Sequence, residues 1–212
     1  MKDYNLVLVT PPAIEPISLI EAKNYLRIDT DDTDDDNYIT GLISTARTYC
    51  EDFQNRAYIT QTWELSLNEF VFGSNDRLNN RHYASTIELP KGNLQEINTF
   101  TYKDVYGAVR MLISDVDYVF STRGILGQIC PPYGKVFPIA ILHPLDPIVI
   151  NYTCGYGLTA DKVPLKVKQS MYLLISHWYE NREIVNSQRG VVPANIGFTV
   201  DTLLKQDRIT VL

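Results

Sequence analysis

The chain has 212 residues, 45% of them hydrophobic and 21% charged, and this composition is that of a globular protein with enough apolar material for a core. The length favours a single domain that carries an insertion. The formal net charge of -6 argues against a protein that grips nucleic acid by neutralising its phosphates, although DNA can slide past an acidic surface.

The sequence predicts neither a membrane anchor nor a disulfide framework. The apolar run at residues 6–9 is too short for the core of a signal peptide, and no stretch approaches the roughly 20 apolar residues that a membrane span needs. Cys50, Cys130 and Cys154 are odd in number and far apart. We therefore expect a soluble protein that is made in a reducing cytosol.

The first region, residues 16–55, is predicted to be helical. Ser18 and Glu21 have the spacing of a capping box, which predicts the start of a short helix. A longer second helix is indicated by apolar residues at helical spacing, namely Ile39, Leu42, Ile43, Ala46, Cys50 and Phe53. Asn55 suits the left-handed conformation that ends many helices.

A run of acidic residues at 29–36 separates these two predicted helices. A calcium loop needs Gly at its sixth position and Glu at its twelfth, but counting from Asp29 those positions hold Asp34 and Thr40. The sequence therefore favours acids that interact with the positive end of the second helix and cap its free amides.

The middle region, residues 58–155, is predicted to form strands. Trp63, Leu65 and Leu67 alternate with polar residues, as in a half-buried strand. Further strands are predicted at residues 86–89, 97–102, 109–113, 117–121 and 148–152. A turn at residues 104–107 predicts a hairpin and hence an antiparallel sheet, whereas the polar segment 75–85 is predicted to be an exposed loop.

The last region returns to helix after Pro164, which suits a first helical position. This third helix is predicted from an apolar stripe of Val167, Met171, Leu174, Ile175 and Trp178, and a short amphipathic segment at residues 200–206 precedes a β-prone tail at 209–212. We therefore predict an α+β fold. In this fold residues 1–56 and 156–212 form a discontinuous helical domain, and residues 57–155 form an antiparallel β insertion.

The sequence predicts no catalytic, metal-binding or cofactor-binding residue. His82, His143 and His177 lack the spacing of a metal site, and neither a nucleophile elbow nor a phosphate-binding loop is present. A site assembled from distant residues stays open at the level of sequence. The pattern nevertheless favours a protein that is not an enzyme and that works through its surfaces.

Candidate interaction residues lie at the two ends of the third helix. Lys162 and Lys166 are near its start, where positive charge opposes the helix dipole. They either contact an acidic partner or a DNA phosphate, or are screened by solvent. Tyr179 and Arg182 are near its end, and aromatic and Arg side chains are enriched in subunit interfaces.

Two parts of the sequence resemble phage and prophage head–tail connector (adaptor) proteins. The first comprises residues 6–12, 18–23, 26–28, 43–47, 50–51 and 56–63, and it ends in Ile59-Thr60-Gln61-Thr62-Trp63. Asn55 departs from the family pattern, which has Gly before Arg-Ala, but the left-handed cap tolerates Asn. The second is His177-Trp178-Tyr179-Glu180-Asn181-Arg182-Glu183. The resemblance brackets the whole chain, whereas the intervening strands match only in general character.

The resemblance implies a structural subunit that forms a ring, of about a dozen copies, beneath the portal of a tailed-phage capsid. Such a ring extends the DNA channel, through which DNA passes without sequence-specific binding. The implied partners are further copies of the chain, the portal protein and the next neck or tail protein. The implied location is the head–tail junction of the virion, with assembly in the host cytoplasm. Two alternatives stay open: another neck component, such as a stopper or tail-completion protein, and an enzyme.

The C-terminal segment, residues 191–212, is a candidate for binding the portal protein. It carries Phe198, Val200, Leu203 and Leu204, which are too few apolar residues to fold alone. Segments of this kind often become ordered on a partner surface. The alternative is that the segment packs on the helices of its own chain.

Overall fold

The computed structural model describes residues 4–70, 86–182 and 196–209, and in the last range the side chains from residue 199 onward. Two compact units make up the chain. We call Met1–Pro11 with Thr60–Gly155 the strand unit, and Pro12–Ile59 with Tyr156–Leu212 the helical unit. The described elements form an α+β fold, which confirms the predicted fold class. That each unit folds as a domain of its own stays a prediction.

The strand unit contains two antiparallel sheets. Its described strands are β1 (Tyr4–Thr10), β2 (Gln61–Leu67), β3 (Ile87–Leu89), β4 (Leu94–Lys103), β5 (Val109–Met111), β6 (Val119–Ser121), β7 (Gly127–Cys130) and β8 (Ile148–Cys154). The strand order is β1-β2-β8-β4-β5 in one sheet and β3-β7-β6 in the other. The predicted hairpin joins β4 and β5 and is confirmed, and the predicted loop at 75–85 lies outside the described residues.

The structure adds two strands, β1 and β7, that the sequence pattern did not predict. β1 carries consecutive apolar residues instead of an alternation, and β7 has only four residues and begins with Gly127. Because β1 pairs with β2, the first eleven residues lie with the strands, whereas we expected them with the helices.

The five-stranded sheet buries one of its faces. Leu65 of β2 and Phe100 of β4 flank Ile150 of β8 in register, and all three side chains are buried. We call this the inner face. Aromatic side chains extend its core, namely Phe70, Tyr102, Tyr118 and Phe137. The other face of the sheet, which we call the outer face, carries Glu64 and Asn151. These two residues pair with each other and are the sequence neighbours of Leu65 and Ile150.

The described helices begin and end close to the predicted signals. They are α1 (Leu19–Leu26), α2 (Asp36–Gln54), a 3-10 turn (Ala160–Lys162), α3 (Leu165–Glu180) and α4 (Ile196–Lys205). The capping box of α1 is confirmed, since Glu21 N donates to Ser18 Oγ at 3.2 Å and Ser18 N donates to the Glu21 carboxylate at 2.7 Å. Asn55 ends α2 with a φ of 54°, as predicted, whereas Pro164 immediately precedes α3.

The helices of the helical unit share one apolar core. Its fully buried side chains include Ile39, Ala46 and Cys50 from α2, Val167, Met171 and Ile175 from α3, and Val200 and Leu204 from α4. The Tyr38 hydroxyl donates to the carbonyl of Trp178 at 3.2 Å. The start of α2 therefore meets the end of α3.

Candidate interaction surfaces

Four side chains form a charged and aromatic cluster where α2 begins and α3 ends. We call Asp35, Tyr38, Tyr179 and Arg182 the helix-end cluster. Asp35 Oδ2 accepts hydrogen bonds from the Tyr179 hydroxyl at 2.5 Å and from Arg182 Nη2 at 2.7 Å. The Arg182 guanidinium carbon lies 4.7 Å from the ring centre of Tyr38 and 4.9 Å from that of Tyr179. Two of the predicted interaction residues, Tyr179 and Arg182, are thus brought together on the same carboxylate.

The electrostatics of the helix-end cluster follow from these hydrogen bonds. The bond from Tyr179, followed by that from Arg182, lowers the pKa of Asp35, and the bond to Asp35 raises the pKa of Tyr179. Asp35 makes no side-chain capping bond to α2. The expectation that the acidic run caps the amides of this helix is therefore wrong for Asp35, because its carboxylate faces Tyr179 and Arg182 instead.

The acidic run wraps around a buried lysine. The Lys23 ammonium donates to Thr30 O at 3.0 Å, to Asp32 O, and to Asp36 Oδ1 at 2.8 Å. Lys23 is 2% exposed, so these three oxygens take the place of its water shell. In the described ranges, no group of three or more His, Cys, Asp or Glu residues could hold a metal ion. The ammonium group is thus the cation around which this loop is built.

The two predicted lysines differ in their surroundings. Lys162 lies in the 3-10 turn, is exposed and pairs with the neighbouring Asp161 at 3.4 Å. Lys166, in the first turn of α3, forms an ion pair with Asp207, which follows α4. Lys162 is therefore more available to a partner, whereas Lys166 also ties the C-terminal segment to α3.

The C-terminal segment packs on the helices of its own chain in this structure. Val200 and Leu204 are fully buried, Leu203 is half-buried, and the side chain of Phe198 lies outside the described residues. Gln54 Nε2 donates to the carbonyl of Leu204 at 2.7 Å. Release of this segment onto a portal stays a prediction, and it would expose buried apolar surface.

A surface that the sequence interpretation missed lies at the tip of the β4–β5 hairpin. Backbone bonds hold residues 141–143 alongside this hairpin, from Val105 N to Ile141 O at 3.0 Å and from His143 N to Lys103 O at 3.1 Å. The large exposed apolar side chains there are Val105, Tyr106, Ile139, Ile141 and Leu145, which we call the tip surface. Tyr106 is 92% and Ile139 is 86% exposed.

The composition of the adjoining segment could have revealed the tip surface. Residues 136–145 contain no Asp, Glu, Lys or Arg. Contiguous exposed apolar surface commonly marks a contact with another molecule.

The motif residues that carry the family resemblance have structural roles in the helical unit. Arg47 donates to Glu15 at 2.8 Å and to Glu51 at 2.7 Å. Glu51 also accepts a bond from the backbone N–H of Tyr58 at 2.8 Å. The Tyr58 hydroxyl donates to Gln54 Oε1 at 2.7 Å. These largely buried contacts fix the chain on both sides of the C-terminal end of α2.

Comparison with known proteins agrees with the resemblance predicted from the motifs. Residues 16–97 match the model of the phage gp6-like head-tail connector protein family. This match confirms the resemblance and spans α1, α2, β2 and β3 up to the start of β4. No curated protein matches the chain.

Solved structures of particle necks share the fold. The neck of an empty gene transfer agent particle, obtained with C6 symmetry, contains a chain that is 19% identical with a TM-score of 0.75, covering 98% of this chain and 97% of that one. The neck of a native gene transfer agent particle, obtained with C12 symmetry, gives 18% identity and a TM-score of 0.69, covering 99% and 97%. The likeness extends over both units and not only over the part matched by the family model.

Proposed function

We propose that this chain is a structural head–tail connector (adaptor) subunit that forms a ring beneath the portal of a tailed-phage capsid. The observation that carries the proposal is the fold likeness, with a TM-score of 0.75 over 98% of the chain, to a component of a particle neck. The family match at residues 16–97 supports it independently. Both support a protein that acts as a building block, not as a catalyst.

The symmetry of the similar neck structures supports a ring. They were obtained with C6 and C12 symmetry, and a cyclic assembly of identical subunits needs two different surfaces on each subunit that fit each other. The structure offers separate candidate surfaces for contacts with the partners of such a ring, namely the helix-end cluster, Lys162 and the tip surface.

The charge of the chain supports a passive channel for DNA. The 25 Asp and Glu residues outnumber the 19 Lys and Arg residues, and an acidic balance suits a channel wall that neutralises few phosphates and does not hold DNA. The proposed location is the head–tail junction of the virion, reached after assembly in the host cytoplasm.

Electron microscopy of the purified protein, alone and mixed with portal-bearing capsids that lack necks, tests this function. We expect rings on the portal vertex. Binding only after another neck protein has been added would identify a stopper or tail-completion protein instead. A protein that remains monomeric and leaves the capsids unoccupied would contradict a neck role altogether.

A paired substitution tests the basic residues at the start of α3. We expect Lys162→Gln combined with Lys166→Gln to reduce occupancy of the portal vertex, since both remove positive charge from one end of the helical unit. Lys205→Gln removes an exposed charge from α4 and is the control for Lys162→Gln, whose side chain is likewise exposed. Equal occupancy for both variants would remove these lysines from the proposed contacts.

A further inference from the structure

The five-stranded sheet has two edges that no described strand covers, β1 on one side and β5 on the other. Natural proteins commonly protect such edges with charged side chains, because free N–H and C=O groups can pair with another chain. The β1 edge lacks this protection, since residues 4–14 contain no charged side chain and Val7 is 55% exposed. A bulge after Leu8 and the prolines that follow interrupt only its final part.

The β5 edge carries a matching apolar row. Val109 and Met111 are 64% and 63% exposed, and they share one face because they are two positions apart. Met111 lies opposite Thr101, which lies opposite Val149 on the outer face of β8. Val7 lies opposite Glu64, which is also on the outer face. Exposed apolar side chains therefore border the outer face on both sides.

The middle of the outer face is mainly polar. Its residues include Thr62, Glu64, Thr99, Asn151 and Thr153, with the half-buried Val149 among them. If the edge of one sheet met the opposite edge of another copy, the two apolar borders would become cross-strand neighbours. Such pairs stabilise a sheet by removing apolar surface from water.

The strand directions permit this contact between copies in the same orientation. Each neighbouring pair in the sheet is antiparallel, so the first and fifth strands, β1 and β5, run in the same direction. We propose that β1 of one copy pairs in parallel along the β5 edge of the next, which extends the sheet from subunit to subunit. This contact joins two different surfaces and can therefore close into a ring. The inference rests on the ring proposed above and identifies the contact between neighbouring subunits in that ring.

Cysteine cross-linking tests the contact directly. Val7→Cys and Met111→Cys are made separately and together in a background in which Cys130, the half-exposed native thiol, is Ser. The proteins are treated with a short bis-maleimide under the conditions used for microscopy. We expect cross-linked dimers from a mixture of the two single variants, none from either alone, and a ladder of oligomers from the double variant.

The outcomes separate this contact from the proposed function. Rings without the Val7–Met111 cross-link would overturn the edge contact and leave the connector role standing. Dimers formed by Val7→Cys alone would also overturn it, because they indicate a two-fold contact of β1 with β1. A cross-link that forms where neither rings nor capsid binding occur would support the contact and refute the connector role.

A charge placed on the edge provides a second, independent measurement. Val7→Lys should abolish rings and leave the far-ultraviolet circular dichroism of the subunit unchanged. Ile125→Lys is the matched control, because Ile125 is an exposed apolar residue of the same unit outside both edge strands. Rings formed by Val7→Lys as well as by Ile125→Lys would refute pairing through β1.

Discussion

Replacing Leu204 by Ala tests whether the C-terminal segment packs on its own helices in solution. Leu204 is 0% exposed in the core of the helical unit, and its carbonyl accepts the hydrogen bond from Gln54. The substitution removes three buried carbon groups, worth roughly 2.4 kcal/mol at about 0.8 kcal/mol each. The remaining cavity adds to this loss. The free energy of unfolding should therefore fall by about 2–5 kcal/mol.

Urea unfolding, followed by the fluorescence of Trp178, measures this change in a Trp63→Phe background. Trp178 packs against the core that contains Leu204, so its emission reports on the same unit. The control is Lys205→Ala at the next, exposed position, which should change the free energy by less than about 0.5 kcal/mol. A loss below about 1 kcal/mol for Leu204→Ala would contradict the packed tail. It would favour a segment that becomes ordered only on its partner.

Three further substitutions or measurements address the buried and charged groups. Hydrogen bonds from Tyr179 and Arg182 hold the pKa of Asp35 below its ordinary value of 3.8. The Asp35 carboxylate therefore stabilises the folded state above pH 3.8, and this stabilisation is lost as the pH falls through the pKa of the folded state. Acid unfolding should accordingly show wild type more stable than Asp35→Asn near neutrality, with a difference that narrows as the pH falls below 3.8, and a difference that stays constant would contradict the argument. Lys23→Met leaves two carbonyls and the half-buried Asp36 carboxylate without their donor, so thermal unfolding should show a loss of stability of about 1–3 kcal/mol, and a loss below about 0.5 kcal/mol would show that the loop rearranges freely. Burial raises the pKa of the Cys50 thiol to about 12, so at pH 8 a thiol reagent should label the half-exposed Cys130 first, and equal labelling rates would indicate that the helical core opens.

Local sequence signals predicted much of the helical unit. The capping box of Ser18 and Glu21 and the left-handed Asn55 both depend on interactions within a few residues, and both have the predicted geometry. Apolar spacing likewise located α2 and α3. Strand β1 was missed because its apolar residues follow one another without alternation, and its place beside β2 depends on a partner far along the chain.

The candidate surfaces were less predictable because exposure depends on distant contacts. Tyr179 and Arg182 were selected by residue type, but their partner Asp35 lies 144 and 147 residues away, and no local pattern links them. Val200 and Leu204 were selected as apolar tail residues, and the same apolarity buries them in the core. Whether any of these residues contacts a partner stays a prediction.

The strand order has a consequence for synthesis on the ribosome. β1 is the first of the strands to be made, and roughly 50 residues separate it from its partner β2. Because translation adds about 5–20 residues per second, β1 remains unpaired for several seconds. β8 lies between β2 and β4 in the sheet and emerges last of its strands. The sheet can therefore close only after Cys154 has been made, whereas α1 and α2 can pack on each other much earlier. The charge-free first strand lacks its partner until β2 has been made, and the sheet stays incomplete until β8 follows, so nascent chains of this protein should be most prone to aggregate before β8 is complete.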